Sequence, residues 1–537
     1  MKKQVYHRVL KELQSNLKSE IREFKMSKQS KTILSNILSG FIGLFFIFVI
    51  LVIFTQKTVS KYINVNRVLL ISIGVIALAA VVYALIVLAK LFSKHCSKLF
   101  ENTRAALSII IVLTALPRLI WINIVSVVPK SDFDTYNRIA SELVKGGVAG
   151  DGNYISIFPH VIGYPAFLSI FYRLFGSHVI VAQIVNVFLC IGIAILIFYI
   201  GKRISDIKCG FFAAVIWAFW PSQIEAVSLV ATEELYTFLC LTSILLFLYA
   251  AEIKNNYKKT AALFCVLGFL CSLVNAVRPF GLILVIAAGI YLFIFADSES
   301  RLKKRLLIKT GFYLIMVLIY LISNLTLNFI ISKTINKQIA AVPAGYSIYV
   351  GSNPVYGGMW NAEDSTELGL LMEDKNITPQ QVHNILQAMG IERFKNPSIE
   401  IFSLLKNKIV NLWGSDNDAV YNIRDGLDNK SIININKYFS VFNVINIFYY
   451  YLFIIFCIYS CVAFIKKKSD FKLVFLLLVL IGIILIHLIV EVSPRYHYLA
   501  ISILAIIPAY GIALKTKIND KEVIISDSEK MSELILK

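Results

Sequence analysis

The hexapeptide Ser131-Asp132-Phe133-Asp134-Thr135-Tyr136 places two carboxylates and a phenol just past Pro129, directly after an apolar run from Leu107 to Val128. Carboxylates at the end of such a run are costly unless they are solvated, paired or used, so this segment is the first candidate for a general base. If it is helical, Asp132 and Tyr136 share a face, Ala140 and Leu143 continue it, and Asp134 points elsewhere. The bland alternative is that Ser131 and Asp132 cap a helix lying on the membrane surface. A cap turns its carboxylate toward the backbone, so one residue does not serve as cap and base together.

Further acids and cations stand at other edges of apolar runs. Thr232-Glu233-Glu234 opens the run that ends at Ala251, although acids in a first helical turn are also what the helix dipole favours. Arg278 lies in the turn Val277-Arg278-Pro279, and Arg495 lies in Glu491-Val492-Ser493-Pro494-Arg495-Tyr496-His497. A lone arginine at a membrane edge usually snorkels to headgroups. Two that converge with acids would instead hold the phosphate of a lipid-linked substrate. His160 and His497 are candidates for a metal site, with surface or hydrogen-bonding roles the commoner use of two histidines so far apart. No cofactor is required by these residues, and a divalent ion shared by Asp132 and Glu233 stays open.

Positioning these groups is the task of a membrane bundle. A chain of 537 residues that is 58% hydrophobic is no water-soluble globule. Apolar runs at 33–54, 68–92, 107–128, 178–200, 210–230, 232–251, 260–276, 280–296, 312–331, 444–465, 473–490 and 496–514 predict an all-α polytopic bundle of about twelve spans. The run at 210–230 is interrupted by Pro221. The net charge of +20 could suggest nucleic acid, but Lys and Arg cluster in the head, at 90–104, 202–203, 254–259, 301–309 and 466–468. Counting spans puts every cluster on one side, which by the positive-inside rule is the cytoplasm, with both termini there. Lys57, Lys61 and Arg67 go against the rule. The expected product is a multi-pass protein of the cell membrane.

The domains then read as a basic head (1–32), a two-helix extension (33–106), a catalytic membrane core (107–332) with an outer loop at 129–177, an outer loop domain (333–442), C-terminal membrane helices (443–514) and a tail (515–537). The head precedes the first apolar run with mostly polar residues, unlike a cleavable signal peptide, and suits a basic amphipathic helix on the inner leaflet. In the outer domain, Thr378-Pro379 and Asn396-Pro397 open helical patterns, whereas Pro343 to Asp364 reads as an ordered loop. Gly345 to Asn353, with Trp360 and Asn361, carries the amide, hydroxyl and aromatic groups that saccharides favour. All eight cysteines sit in or beside apolar runs, which argues against a disulfide framework.

In order along the chain, these motifs resemble the membrane glycosyltransferases of the GT-C superfold, in the branch of protein O-mannosyltransferases and aminoarabinose transferases. That branch has an outer Asp-Glu-x-x-Tyr motif, similar to Asp132 and Tyr136 here, with Phe133 where the second acid would be and Asp134 as its substitute. Its proline- and glycine-rich stretch resembles Phe158-Pro159-His160-Val161-Ile162-Gly163-Tyr164-Pro165. Glu233 resembles the acid that opens a later helix, and Arg278-Pro279 and Glu491-x-x-x-Arg495-Tyr496 look like further family features. The resemblance spans Leu107 to Leu514 and leaves the head and first two spans as an extension.

The resemblance implies transfer of a sugar from a polyprenyl-phosphate donor to a glycan, lipid or protein acceptor outside the cytoplasm, with inversion. Asp132 would be the base and Glu233 a second catalytic acid. Asp134, Tyr136, His160, Glu234, Arg278, Glu491, Arg495 and Tyr496 would line the substrates. The rival readings are a lipid-linked sugar flippase or transporter, which would bury charges near mid-membrane, a cell-surface polysaccharide polymerase, and an idle assembly subunit.

Overall fold

The computed structural model describes residues 28–55, 67–148, 150–253, 256–295, 302–467 and 471–515. Residues 1–27 of the head, 516–537 of the tail, Lys57, Lys61, Lys254, Arg301 and Lys468 lie outside the described residues. Within them the chain is all-helical, with a single antiparallel bridge between Val127 and Leu427 and no strand.

Among the described residues nine helices are long and apolar enough to cross a membrane. The pair Ile207–Ala218 and Pro221–Ser228, bent by 65°, forms a broken span or a re-entrant loop, which makes ten spans at most against the twelve expected. Pro221 explains the break, because it cannot donate to the preceding turn and instead opens the second piece at its first position. Two expected spans are shorter. Gly281–Phe295 and Lys472–His487 are both shorter apolar helices, and the second gives way to a segment held by backbone hydrogen bonds. There the Glu491 amide donates to the Ser347 carbonyl at 2.7 Å and the Val492 amide to that of Gly358 at 2.9 Å.

The helix Glu233–Glu252 sets the polarity of the bundle. Its last residue pairs with Arg203 at 2.5 Å and Lys472 at 2.9 Å, while its first lies among the outer acids and arginines. Twenty residues at about 1.5 Å each separate the two ends by about 30 Å, one bilayer core.

Beyond that core, residues 345–425 form short helices. Pro379–Lys395 begins with a capping box between Thr378 and Gln381, as the sequence suggests. Ile401–Trp413 follows the Asn396-Pro397 turn with Glu400 at its cap. The expected loop from Pro343 departs from its reading, because Gly345–Gly351 is helical and packs on Pro379–Lys395. The approach is close enough that a Cβ on Gly345 would fall 1.9 Å from the His383 carbonyl oxygen. Helix formation there is enforced by packing, not by propensity.

Gly163 plays the same part beneath the site. A Cβ there would meet the Ala276 carbonyl oxygen at 2.1 Å, two residues before Arg278. Gly163→Ala is expected to cost about 1–3 kcal/mol through overpacking against backbone, read as a lower melting temperature of the purified protein. An unchanged melting temperature would show that the two helices part freely.

Candidate active site

Asp132 is the first residue of the helix Asp132–Val144, which packs on Gly163–Phe175. Ser131 enters it with φ at 53° and makes no side-chain cap, so the capping reading fails. The Asp132 carboxylate turns to Arg495 instead, with Oδ2 accepting from Nη2. Four residues on, the Tyr136 ring stands edge-on to Tyr164 at 6.0 Å. Burial, and then the Asp132 charge, push its hydroxyl up to about 12, which keeps it a donor.

A second acid–arginine pair lies alongside. Arg278, at the end of the helix Tyr257–Val277, donates from Nη2 to Glu233 Oε1 and from Nε to the Thr232 hydroxyl at 2.9 Å. The Thr232 hydroxyl donates to Glu233 Oε2 at 3.2 Å, so Thr232 buttresses the carboxylate and does not cap its helix. Tyr496 joins the two pairs: its ring centroid is 5.3 Å from the Arg278 guanidinium and 5.8 Å from that of Arg495. The Tyr496 hydroxyl donates to Glu491 Oε1 at 3.2 Å. His160 completes this wall, within electrostatic reach of Arg278 and Asp132. Burial first, and then Arg278, lower its imidazole to about 4, so it is neutral at pH 7.

Not every expected residue joins them. Asp134 is exposed and forms no ion pair with Arg278 or Arg495, so it does not supply the missing second acid. Phe133 is buried in that place, and the Arg495 guanidinium lies 5.8 Å from its ring. Glu234 turns inward and accepts from the Tyr498 hydroxyl at 3.3 Å, with no arginine partner among the described residues. His497 is packed between Trp413 and Tyr450, its Nδ1 2.5 Å from the Leu412 carbonyl oxygen and its Nε2 3.3 Å from Asp416 Oδ1. That makes it a support for Asp416. Among the described residues no group of three or more His, Cys, Asp or Glu is placed to hold a metal ion, and Asp132 and Glu233, for which a shared ion was left open, each face an arginine.

A cleft opens beside the pairs, lined by Phe133, Glu233, Asp416, Asp418, Arg495 and Tyr498 among others. Asp416 and Asp418 were not anticipated, although Ser415-Asp416-Asn417-Asp418 between two helical patterns is an acidic signal. Lys408 was also missed. It is buried, and its ammonium donates to the carbonyls of Gly351 at 2.6 Å, Val490 at 2.8 Å and Ile489 at 3.2 Å, pinning the segment that leads to Arg495.

Glu491 lies next to that pin, and burial raises its carboxyl from 4.5 to about 7, with Arg495 working the other way. Its native pKa exceeds its unfolded one, so the stability it lends is complete below pH 4.5 and lost as pH rises to about 7. Lys408, lowered by burial from 10.5 to about 7, contributes a slope of opposite sign, and only above pH 7. Between about pH 5 and 7 the melting temperature of Glu491→Gln should therefore rise relative to that of the wild type, since the comparison isolates this carboxyl from the lowered His160. Parallel curves for the two proteins would contradict the assignment.

The comparisons with known proteins bear on this arrangement. Residues 159–332 match the family model of dolichyl-phosphate-mannose-protein mannosyltransferase. This is a GT-C glycosyltransferase family. The matched segment carries His160, Glu233, Glu234 and Arg278, whereas Asp132, Glu491, Arg495 and Tyr496 fall outside it. Similar solved structures include the archaeal oligosaccharyltransferase AglB from Archaeoglobus fulgidus in complex with an inhibitory peptide and a dolichol-phosphate. It has 13% identity over 80% of this chain and 51% of that one, with a TM-score of 0.41. ArnT from Cupriavidus metallidurans bound to undecaprenyl phosphate has 9% identity over 77% of this chain and 78% of that one, with a TM-score of 0.36. The chain spans about half the length of the oligosaccharyltransferase it resembles. A search of curated proteins finds no relative.

Proposed function

We propose that the protein is a membrane glycosyltransferase that takes a sugar from a polyprenyl-phosphate donor and passes it, with inversion, to an acceptor outside the cytoplasm. The observation that carries this reading is the convergence of Asp132–Arg495 and Glu233–Arg278 around Tyr496 at the mouth of a cleft. The family description, with its dolichyl-phosphate-mannose donor, supports the donor class. The site lies one span away from the Arg203–Glu252–Lys472 end, which suits an outer active site with basic loops and both termini in the cytoplasm.

Accessibility divides the work between the two acids. The side chain of Asp132 is 37% exposed and that of Glu233 only 6%. Asp132 Oδ1 has no hydrogen-bond partner among the described residues, so it is the oxygen that accepts the acceptor's hydroxyl proton. The acceptor oxygen forms its bond to the anomeric carbon as the bond from that carbon to the phosphate oxygen breaks, and the electron pair leaves with the lipid phosphate. Arg495 retains Nε and Nη1 without partners among the described residues and can meet that growing charge. Glu233 orients Arg278 and is a positioning residue. The outer domain supplies the acceptor side.

Protein reconstituted in nanodiscs, given a polyprenyl-phosphate donor with a labelled sugar and a membrane extract as acceptor source, should move label into a product no longer soluble with the lipid. Label that stays on the lipid with every extract would refute the reading.

A further inference from the structure

The cleft beside Arg495 has a polarity that neither acid–arginine pair accounts for. Gln223 lines it, is fully buried, and leaves its Oε1 without a partner. Among the described residues the amide's only hydrogen bond is a long one, 3.5 Å from Nε2 to the Ser222 hydroxyl, so one end is unmatched whichever way the amide is turned. A buried acceptor left so costs about 1–3 kcal/mol. Asp418 lines the same cleft, with Oδ2 taken by Asn422 at 2.7 Å and Oδ1 unpartnered among the described residues. Asp416 is already satisfied. Its Oδ2 accepts from Trp220 Nε1 and the Ser222 hydroxyl, both at 2.6 Å, and Oδ1 faces His497, which makes the wall rigid.

We propose that this cleft is the subsite for the transferred sugar, and that it selects a ring rich in hydroxyl or amino donors and bearing no carboxylate. The assignment rests on the glycosyltransferase reading above and adds the substrate class. Gln223 and Asp418 present acceptors that need donors from a ligand. Burial raises the Asp418 carboxyl to about 6, with Arg495 opposing, so at pH 7 it is chiefly an anion that repels another. Arg495, the cation on the cleft wall, is engaged with Asp132 and placed for phosphate, which leaves a sugar carboxylate no counter-ion there. Phe133 and Ala419 give the apolar surface on which a sugar ring can lie.

The test uses the full-length protein in nanodiscs with donors of one polyprenyl chain bearing a hexosyl, an amino-hexosyl or a hexuronosyl group. Hexosyl and amino-hexosyl donors should be used with kcat/KM at least about tenfold above that of the hexuronosyl donor. Asp418→Asn should narrow that ratio, and Gln223→Leu should raise KM for the hexosyl donor with the melting temperature unchanged. Transfer at equal rates from the hexuronosyl donor, or a ratio that Asp418→Asn leaves untouched, would overturn the subsite while the glycosyltransferase reading stood. Transfer from none of the donors would overturn that reading and the subsite with it.

Discussion

Asp132→Asn should lower kcat for sugar transfer by about 10²–10⁴-fold, the usual contribution of a positioned general base. The amide keeps an oxygen for Arg495 and the shape of the side chain, so the helix Asp132–Val144 and the melting temperature should persist. KM for the donor should change little, because the phosphate is held by arginine and not by this carboxylate. Asp134→Asn is the internal control. Its carboxylate is exposed on the far side of the same helix, and its loss should leave turnover unchanged. A normal rate in Asp132→Asn, or equal losses in the two variants, would remove Asp132 from the chemistry.

Arg495→Lys carries the second large effect. The guanidinium binds Asp132 through one nitrogen and keeps two others for a phosphate, an arrangement that a single ammonium cannot reproduce. The variant should lose about 10²–10³-fold in kcat/KM and should be inhibited far less by free polyprenyl phosphate, the leaving group of the reaction. Arg278 is the more encumbered of the two, since Glu233 and Thr232 already take two of its donors. If Arg495→Lys kept wild-type product inhibition, the phosphate would have to bind elsewhere.

Much of this architecture was legible in the residues, and the reason differs from case to case. Long apolar runs are read by length alone, so the nine long spans were found, whereas the helices at 280–296 and 473–490 are shorter, the second giving way to a segment held by backbone hydrogen bonds. The shared face of Asp132 and Tyr136 follows from helical spacing, which the structure keeps. Thr378-Pro379 worked because a cap is local chemistry. The helix at Gly345 was missed because glycine and serine favour loops, and only the approach of His383 makes glycine the fitting residue. Asp416 and Lys408 were missed because their hydrogen-bond partners lie far away in sequence, and Asp418 and Gln223 because only the folded chain brings them to one cleft. Tyr496 was read as a residue lining the substrates, but its place between two guanidiniums is a matter of packing that spacing does not carry.

The most direct measurement counts sugar and lipid phosphate separately in a single turnover, using vesicle-reconstituted protein and a doubly labelled polyprenyl-phosphate donor. The account predicts one polyprenyl phosphate released for each sugar joined to acceptor, with the anomeric configuration inverted and both signals lost in Asp132→Asn. Sugar that crosses the bilayer still attached to its lipid, with no polyprenyl phosphate released, would show a carrier and contradict the account.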